Sequence, residues 1–384
     1  MHVAIVTETW PREVNGVALT VQALARGIAA LGHRVEVLRP RQREELPAEA
    51  GIEEVLLRGA AVPRYPGLRF GLPATGLFQR RWTEGPPDAI YVATEGPLGH
   101  SALRAARRLQ IPACTGFHTR FDDFARHYGL GFLAPTVFAC LRRFHNHADA
   151  TLVPTLELAG FLEANGFRNV HLLRRAVDTR LFDPSRRDAD LRAAWGAAPG
   201  DLVVVHVGRL APEKNLGLAL RAFAAIRARH PRTRCVVVGD GPSREALQQA
   251  HPEVRFTGTQ RGEALARHFA SGDLFVFPSL TETFGNVTLE SLASGVPVVA
   301  FDYGAAREHL HGACAGARVA VGDADAFVDA AVTLADRIVD ADADDLAHRR
   351  EQVRAEVADL GQADVAGHFA RLLDGLRTQR EMHA

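Results

Sequence analysis

Residues 203–215 read V-V-V-H-V-G-R-L-A-P-E-K-N. An apolar run of strand type breaks at a glycine turn, and Arg209 and Lys214 follow five positions apart. This is a strand end that presents two cations at a loop, a natural place to hold a diphosphate. Of 45 Lys+Arg residues, Lys214 is the one lysine. Where any positive charge would do, the chain uses arginine, so position 214 asks for a compact ammonium on a flexible stem. An idle surface lysine is the plainer alternative.

Outward from this stretch the chain alternates strand and helix, twice over. Residues 2–7 (HVAIVT) form a short apolar run. Val17, Val21, Leu24, Ile28 and Leu31 then recur at steps of three and four, the stripe of an amphipathic helix. Gly32 stops it, and Arg34–Leu38 begins the next strand. Further apolar runs lie at 89–93, 111–117 and 150–153, with helical patterns at 99–110 and 134–147. Residues 174–200 are charged and poor in apolar side chains, which reads as a linker plus an exposed helix. Strands then resume at 202–207, 234–238, 254–257, 274–277, 297–300 and 317–320, and the chain from 324 onward is helical. The pattern predicts two doubly wound α/β domains, 1–178 and 179–360, with strand C-termini facing across a cleft where ligands bind.

The totals bound the function. At 384 residues the chain exceeds one ordinary core. Formal net charge is zero, which argues against nucleic acid, although residues 1–180 hold 22 Lys+Arg against 17 Asp+Glu. Cys114, Cys140, Cys235 and Cys314 are scattered and read as reduced core thiols of a cytoplasmic protein. The first residues enter a strand directly and do not resemble a signal peptide, and no stretch has the length of a membrane span.

Three further motifs fall at expected strand ends. E-T-W-P-R-E-V-N-G-V (8–17) places Asn15 and Gly16 where the first helix opens and its free N–H groups favour anions; an ordinary glycine turn is the alternative. G-F-H-T-R-F (116–121) places His118 just past a strand, where an imidazole can meet a hydroxyl or a phosphate oxygen. E-T-F-G-N-V-T-L-E (282–290) follows the strand D-L-F-V-F-P-S. Here Glu282 is expected in a loop, Asn286 as the helix cap and Glu290 on the first turns, with both carboxylates facing one pocket. Paired carboxylates accept from diols, as on a sugar ring or a ribose. A solvated pair of glutamates beside a capped helix is the alternative. G-D-G-P (239–242) reads as a tight strand-to-helix turn, and the D-x-D triplets at 188, 323, 340 and 342 read as helix starts, so no metal site is expected.

Taken in order, these motifs resemble those of retaining glycosyltransferases of family 4, which have the two-Rossmann GT-B fold. The resemblance covers nearly the whole chain. It implies Asn15 and Gly16 against the donor diphosphate, His118 near the 6-hydroxyl of the sugar, and Arg209 and Lys214, beside Gly208, neutralising the leaving diphosphate. It further implies Glu282 on the sugar hydroxyls, Phe284, Gly285 and Asn286 beside it, and Glu290 on the ribose. The helix at 361–384 would cross back to the N-terminal domain. One departure is R-R-A-V-D (174–178), where relatives have glycine before Val-Asp.

The expected reaction is hexosyl transfer, of mannose or glucose, from a nucleotide diphosphate sugar to an acceptor hydroxyl, with retention and without metal. The resemblance points to GDP-mannose or UDP-glucose as donor substrate and to a glycolipid or polysaccharide acceptor. It carries no cofactor. Residues 64–82 interleave Arg64, Arg69, Arg80 and Arg81 with Tyr65, Phe70, Phe78 and Trp82, which suggests peripheral contact at the inner face of a membrane; a loop and short helix packed on the domain with its arginines in water is the plainer alternative. A sugar-nucleotide epimerase and a non-catalytic nucleotide-sugar binder are the competing readings.

Overall fold

The computed structural model describes residues 1–382 except 12–15, 43–44, 46, 62–68, 119–133 and 283. The chain divides into two compact units, Met1–Ala176 with Gln362–Ala384, and Val177–Gly361.

The first unit is built on a seven-stranded parallel sheet. Its strands are β1 (His2–Val6), β2 (Arg34–Pro40), β3 (Ile52–Leu57), β6 (Ala89–Val92), β7 (Ala113–Gly116), β8 (Ala150–Val153) and β9 (Val170–Leu172), in the order β3-β2-β1-β6-β7-β8-β9. The central strands are apolar throughout, as expected of strands covered on both faces. α1 (Gly16–Ala30) buries Val21, Leu24 and Ile28, three members of the stripe seen in the sequence. The last helix, α14 (Gln362–Glu381), packs on α1 and sets Phe369 edge-on to Tyr91.

Several elements were not read from the sequence: β3, the hairpin of β4 (Gly59–Ala61) and β5 (Arg69–Gly71), α2 (Thr75–Glu84), α5 (Leu156–Ala164) and β9. α2 corrects the interfacial reading of residues 64–82. Phe78 and Trp82 are 0% and 1% exposed, stacked on each other in the core. Arg81 donates to the buried carboxylate of Glu36 at 2.7 Å, and so does Trp82 Nε1 at 3.0 Å. Residues 64–68 lie outside the described residues.

The second unit has a six-stranded parallel sheet, in the order β12-β11-β10-β13-β14-β15. The strands are β10 (Val203–Val207), β11 (Arg234–Val238), β12 (Arg255–Gly258), β13 (Leu274–Phe277), β14 (Val298–Phe301) and β15 (Gly316–Val319), each within a residue of its expected place. The charged stretch 174–200 holds the boundary between the two units, after Ala176, and a helix, Ala189–Ala194, whose buried residue is Arg192, but it is not solvated throughout. Phe182 and Trp195 enter the core, and Arg187 and Arg192 converge with Arg350 on Asp273, at the start of β13. Arg187, Asp188 and Arg192 find their partners about 80 positions away. The acidic triplets begin helices as expected: Asp188, Asp323 and Asp342 each accept a backbone N–H at about 2.9–3.0 Å at a helix start. All four cysteines are free, but only Cys114 and Cys235 are buried; Cys140 is exposed. Among the described residues no helix is long and apolar enough to cross a membrane.

Candidate active site

The loop after β10 is held by the loop after β11. Gly208 N–H donates to Val238 O at 3.0 Å, and Leu210 N–H to Asp240 O at 2.9 Å. Gly239 has φ 144°, and a Cβ there would lie 1.9 Å from Gly208 O. The G-D-G-P turn therefore takes its glycine from the need to press on the Gly208 backbone. A one-turn 3-10 helix at 212–214 then leads into α7 (Leu216–Arg229).

That geometry places Lys214 against the loop after β13. Leu280 N–H donates to Glu213 O at 2.9 Å and ties the two loops together. Lys214 Nζ pairs with Glu282 Oε1, which also accepts from Ser279 Oγ at 2.9 Å. The ammonium lies 5.8 Å from the centre of the Phe277 ring. Both partners are about one-sixth exposed, so the pair is partly shielded and still reachable. Arg209 is mostly exposed and pairs with Glu213. Each cation of the loop thus has its own carboxylate.

Glu282 is followed by α10 (Asn286–Ala293). The sequence reading needs correcting at its start. The cap is Gly285, in a left-handed conformation at φ 93°, and Asn286 is the first helical residue; no side chain caps the helix. Phe284 is buried against His309, and its carbonyl accepts from Ala305 N–H at 2.8 Å. Glu290 lies on the second turn. Its Oε2 is shielded from water and has no hydrogen-bond partner among the described residues, and burial pushes the carboxyl up to about 7. Among the described residues no hydrogen bond or ion pair joins Glu290 to Glu282. A buried carboxylate oxygen with no donor is an open place for a hydroxyl of a ligand.

His206, on β10 beneath this loop, was not singled out from the sequence. It is fully buried, donates Nδ1–H to Val276 O at 2.9 Å, and is held down to about 4 by burial and by the nearby Lys214. It stays neutral next to the cation.

In the first unit, Gly16 is exposed at the opening of α1, while Asn15 lies outside the described residues. His118 follows β7 as expected but is buried, and both its ring nitrogens are engaged. Nε2 is 2.6 Å from the Tyr91 hydroxyl, and Nδ1 is 2.9 Å from Arg175 Nη2. Burial, then the Arg175 charge, holds the imidazole well below its ordinary pKa. Neither Tyr91 nor Arg175 stood out in the sequence, because each partner is distant along the chain.

Two Rossmann-like units, one of which pairs a lysine and a glutamate at its strand ends beside a glycine turn and an unpartnered buried carboxylate, define a GT-B enzyme of nucleotide-sugar chemistry. Comparison with known proteins supports this. Residues 14–181 match the model described as Glycosyltransferase Family 4, and residues 201–337 the model described as Glycosyl transferases group 1. The GDP-mannose-dependent alpha-mannosyltransferase of Mycolicibacterium smegmatis is 37% identical over 80% of this chain and 81% of its own. The alpha-monoglucosyldiacylglycerol synthase of Streptococcus pneumoniae is 27% identical over 78% of this chain and 71% of its own. The Anabaena HepE structure with UDP superposes with a TM-score of 0.75, at 18% identity, over 98% of this chain and all of that one. The chain belongs to glycosyltransferase family 4 and is a glycosyltransferase of the GT-B fold.

Proposed function

We propose that this enzyme moves a hexose, mannose first and glucose second, from a nucleotide diphosphate donor to an acceptor hydroxyl with retention at the anomeric carbon and without metal. The observation that carries the reading is the Lys214–Glu282 pair at the loop ends of the second unit. Breaking the sugar–phosphate bond makes an oxocarbenium-like sugar and a diphosphate anion. Lys214 and Arg209 stabilise that anion, exchanging their carboxylate partners for phosphate oxygens. Glu282, so released, accepts from the sugar hydroxyls, and Glu290 accepts from the ribose. By the resemblance of their motifs, Gly16 and Asn15 serve the donor diphosphate and His118 the sugar. Attack comes from the face the leaving group occupies, with a departing phosphate oxygen taking the acceptor proton.

Donor and acceptor are proposed from the relatives. The names of the mycobacterial and pneumococcal proteins specify GDP-mannose and a diacylglycerol glycolipid, respectively. We therefore place GDP-mannose first among donors and a glycolipid first among acceptors, at a membrane surface reached from the cytoplasm. The test is a panel of nucleotide sugars, each incubated with and without a lipid acceptor and with excess chelator. GDP-mannose should be consumed to give an α-linked product in chelator. Sugar isomerisation without acceptor would instead establish an epimerase, and binding without turnover a silent binder.

A further inference from the structure

Arg175 is buried, 5% exposed, and among the described residues no carboxylate pairs with it. Among the same residues its side-chain hydrogen bond runs from Nη2 to His118 Nδ1, while Nε and Nη1 are buried and unpartnered. Burial brings the guanidinium down to about 10, which leaves it charged at neutral pH. Burying a cation costs several kcal/mol, and the bond it makes is to an imidazole and not to a carboxylate. Its geometry acts on the imidazole.

The argument is one of donors and acceptors. A guanidinium only donates, so His118 Nδ1 must accept. A neutral imidazole has one N–H, which is then on Nε2, and it donates to Tyr91 Oη at 2.6 Å. Gly116 makes the second bond possible: a Cβ there would lie 2.3 Å from Tyr91 Oη and 2.5 Å from His118 Nε2. Protonating His118 would require Nδ1 to donate toward a donor and would set two cations 2.9 Å apart. The other groups around the ring are Tyr91 from β6 and His145 from α4 (Ala134–His145). His145 is itself bound to Thr115 Oγ1 at 2.8 Å and lies 3.4 Å from Glu95, so among the described residues the carboxylate of this cluster faces His145.

We propose that Arg175 is a positioning residue for His118: its Nη2–H fixes the imidazole as the neutral Nε2–H tautomer, with Tyr91 as acceptor, throughout sugar transfer. The part concerning transfer rests on the function proposed above; the tautomer does not. The experiment is ¹⁵N NMR of histidine-labelled full-length protein from pH 5 to 8, with the His118 signals identified by their loss in His118→Gln. The wild type should show Nε2 protonated, Nδ1 unprotonated and no titration. In Arg175→Met the same signals should begin to titrate within this range, still below the ordinary histidine value because burial remains, and Arg175→Lys should restore the wild-type behaviour. In parallel, kcat of Arg175→Met should acquire an acidic limb falling about tenfold per pH unit, absent from the wild type. Should Arg175→Met fail to fold, the wild-type and Arg175→Lys spectra decide. An Nδ1–H tautomer or ordinary titration in the wild type overturns the proposal. An unchanged kcat–pH profile in a folded Arg175→Met overturns its catalytic part. Absence of transfer from every nucleotide sugar would overturn the proposed function and leave the tautomer standing.

Discussion

Lys214 and Glu282, 68 positions apart, form an ion pair where two loops of the second unit are stitched together by Leu280 N–H and Glu213 O. The pair explains why the chain keeps a single lysine. A guanidinium at this point would be a wider, flat group that cannot present the same compact charge. Lys214→Ala should lower kcat by on the order of 10²-fold or more, because a charge aimed at the leaving group is lost from a shielded site. Lys214→Arg should recover little of this. Both variants should keep the fold, with Tm within a few degrees, since a partly exposed pair contributes only ~1 kcal/mol. Full activity in Lys214→Ala would remove the leaving-group role.

The two glutamates should separate by substrate part. Glu282→Gln should reduce turnover and blur sugar selectivity, since the carboxylate that holds Lys214 and Ser279 is also the proposed acceptor for sugar hydroxyls. Glu290→Gln should chiefly weaken binding of free nucleoside diphosphate, read by calorimetry. Equal nucleotide affinity in the two variants would refute this division of labour.

Much of this site was legible because its parts are local. The glycine turn at 208, the lysine at 214 and the glutamate at 282 sit in loops that follow an apolar strand, and Glu290 on the helix after the second of these loops, places that residue order alone identifies. What escaped depends on distant partners. β3 (I-E-E-V-L-L) carries two glutamates that blur its strand pattern; Glu53 is neutralised by Arg34 and Arg81, and Glu54 by Arg39. The ion pairs of the linker stretch escaped for the same reason, because Arg187 and Arg192 find Asp273 only in the folded state. Arg175 and His118 are 57 positions apart, and no spacing rule connects them.

Glu290 gives the unliganded protein a pH-dependent stability. Its folded carboxyl titrates at about 7, above the ordinary value of 4.5, so burial favours the protonated form. A raised carboxyl pKa contributes stability that is present below about pH 4.5 and is lost as pH rises through 7. Glu290→Gln mimics the protonated state at every pH. It should leave stability nearly unchanged at pH 5 and raise it at pH 8 by on the order of 2 kcal/mol, seen as a higher Tm. Saturating nucleoside diphosphate should narrow the gap at pH 8, because a ribose hydroxyl would give the wild-type carboxylate a donor. The measurement is thermal unfolding of both proteins at the two pH values. A Tm difference that does not change with pH would show that the carboxyl is not perturbed.

Membrane contact can be tested with the corrected roles of the α2 residues. Phe78, Trp82 and Arg81 are committed to the core and to Glu36, so they are unavailable to lipid. Arg80 and Leu72 remain exposed, on the half of the chain with the surplus of positive charge. If this face meets anionic headgroups, the protein should co-sediment with vesicles containing anionic lipid and stay in solution with neutral ones. High salt should release it, since exposed arginines are screened within about 10 Å. Arg80→Glu should weaken the association without changing Tm. Arg81→Ala should behave differently: it leaves the buried Glu36 carboxylate with Trp82 Nε1 as its main donor, which should cost on the order of 2 kcal/mol of stability. Loss of vesicle binding in Arg80→Glu alone, with Tm intact, would assign the contact to this surface. No association at low salt would remove membrane contact from the proposal and favour a polysaccharide acceptor.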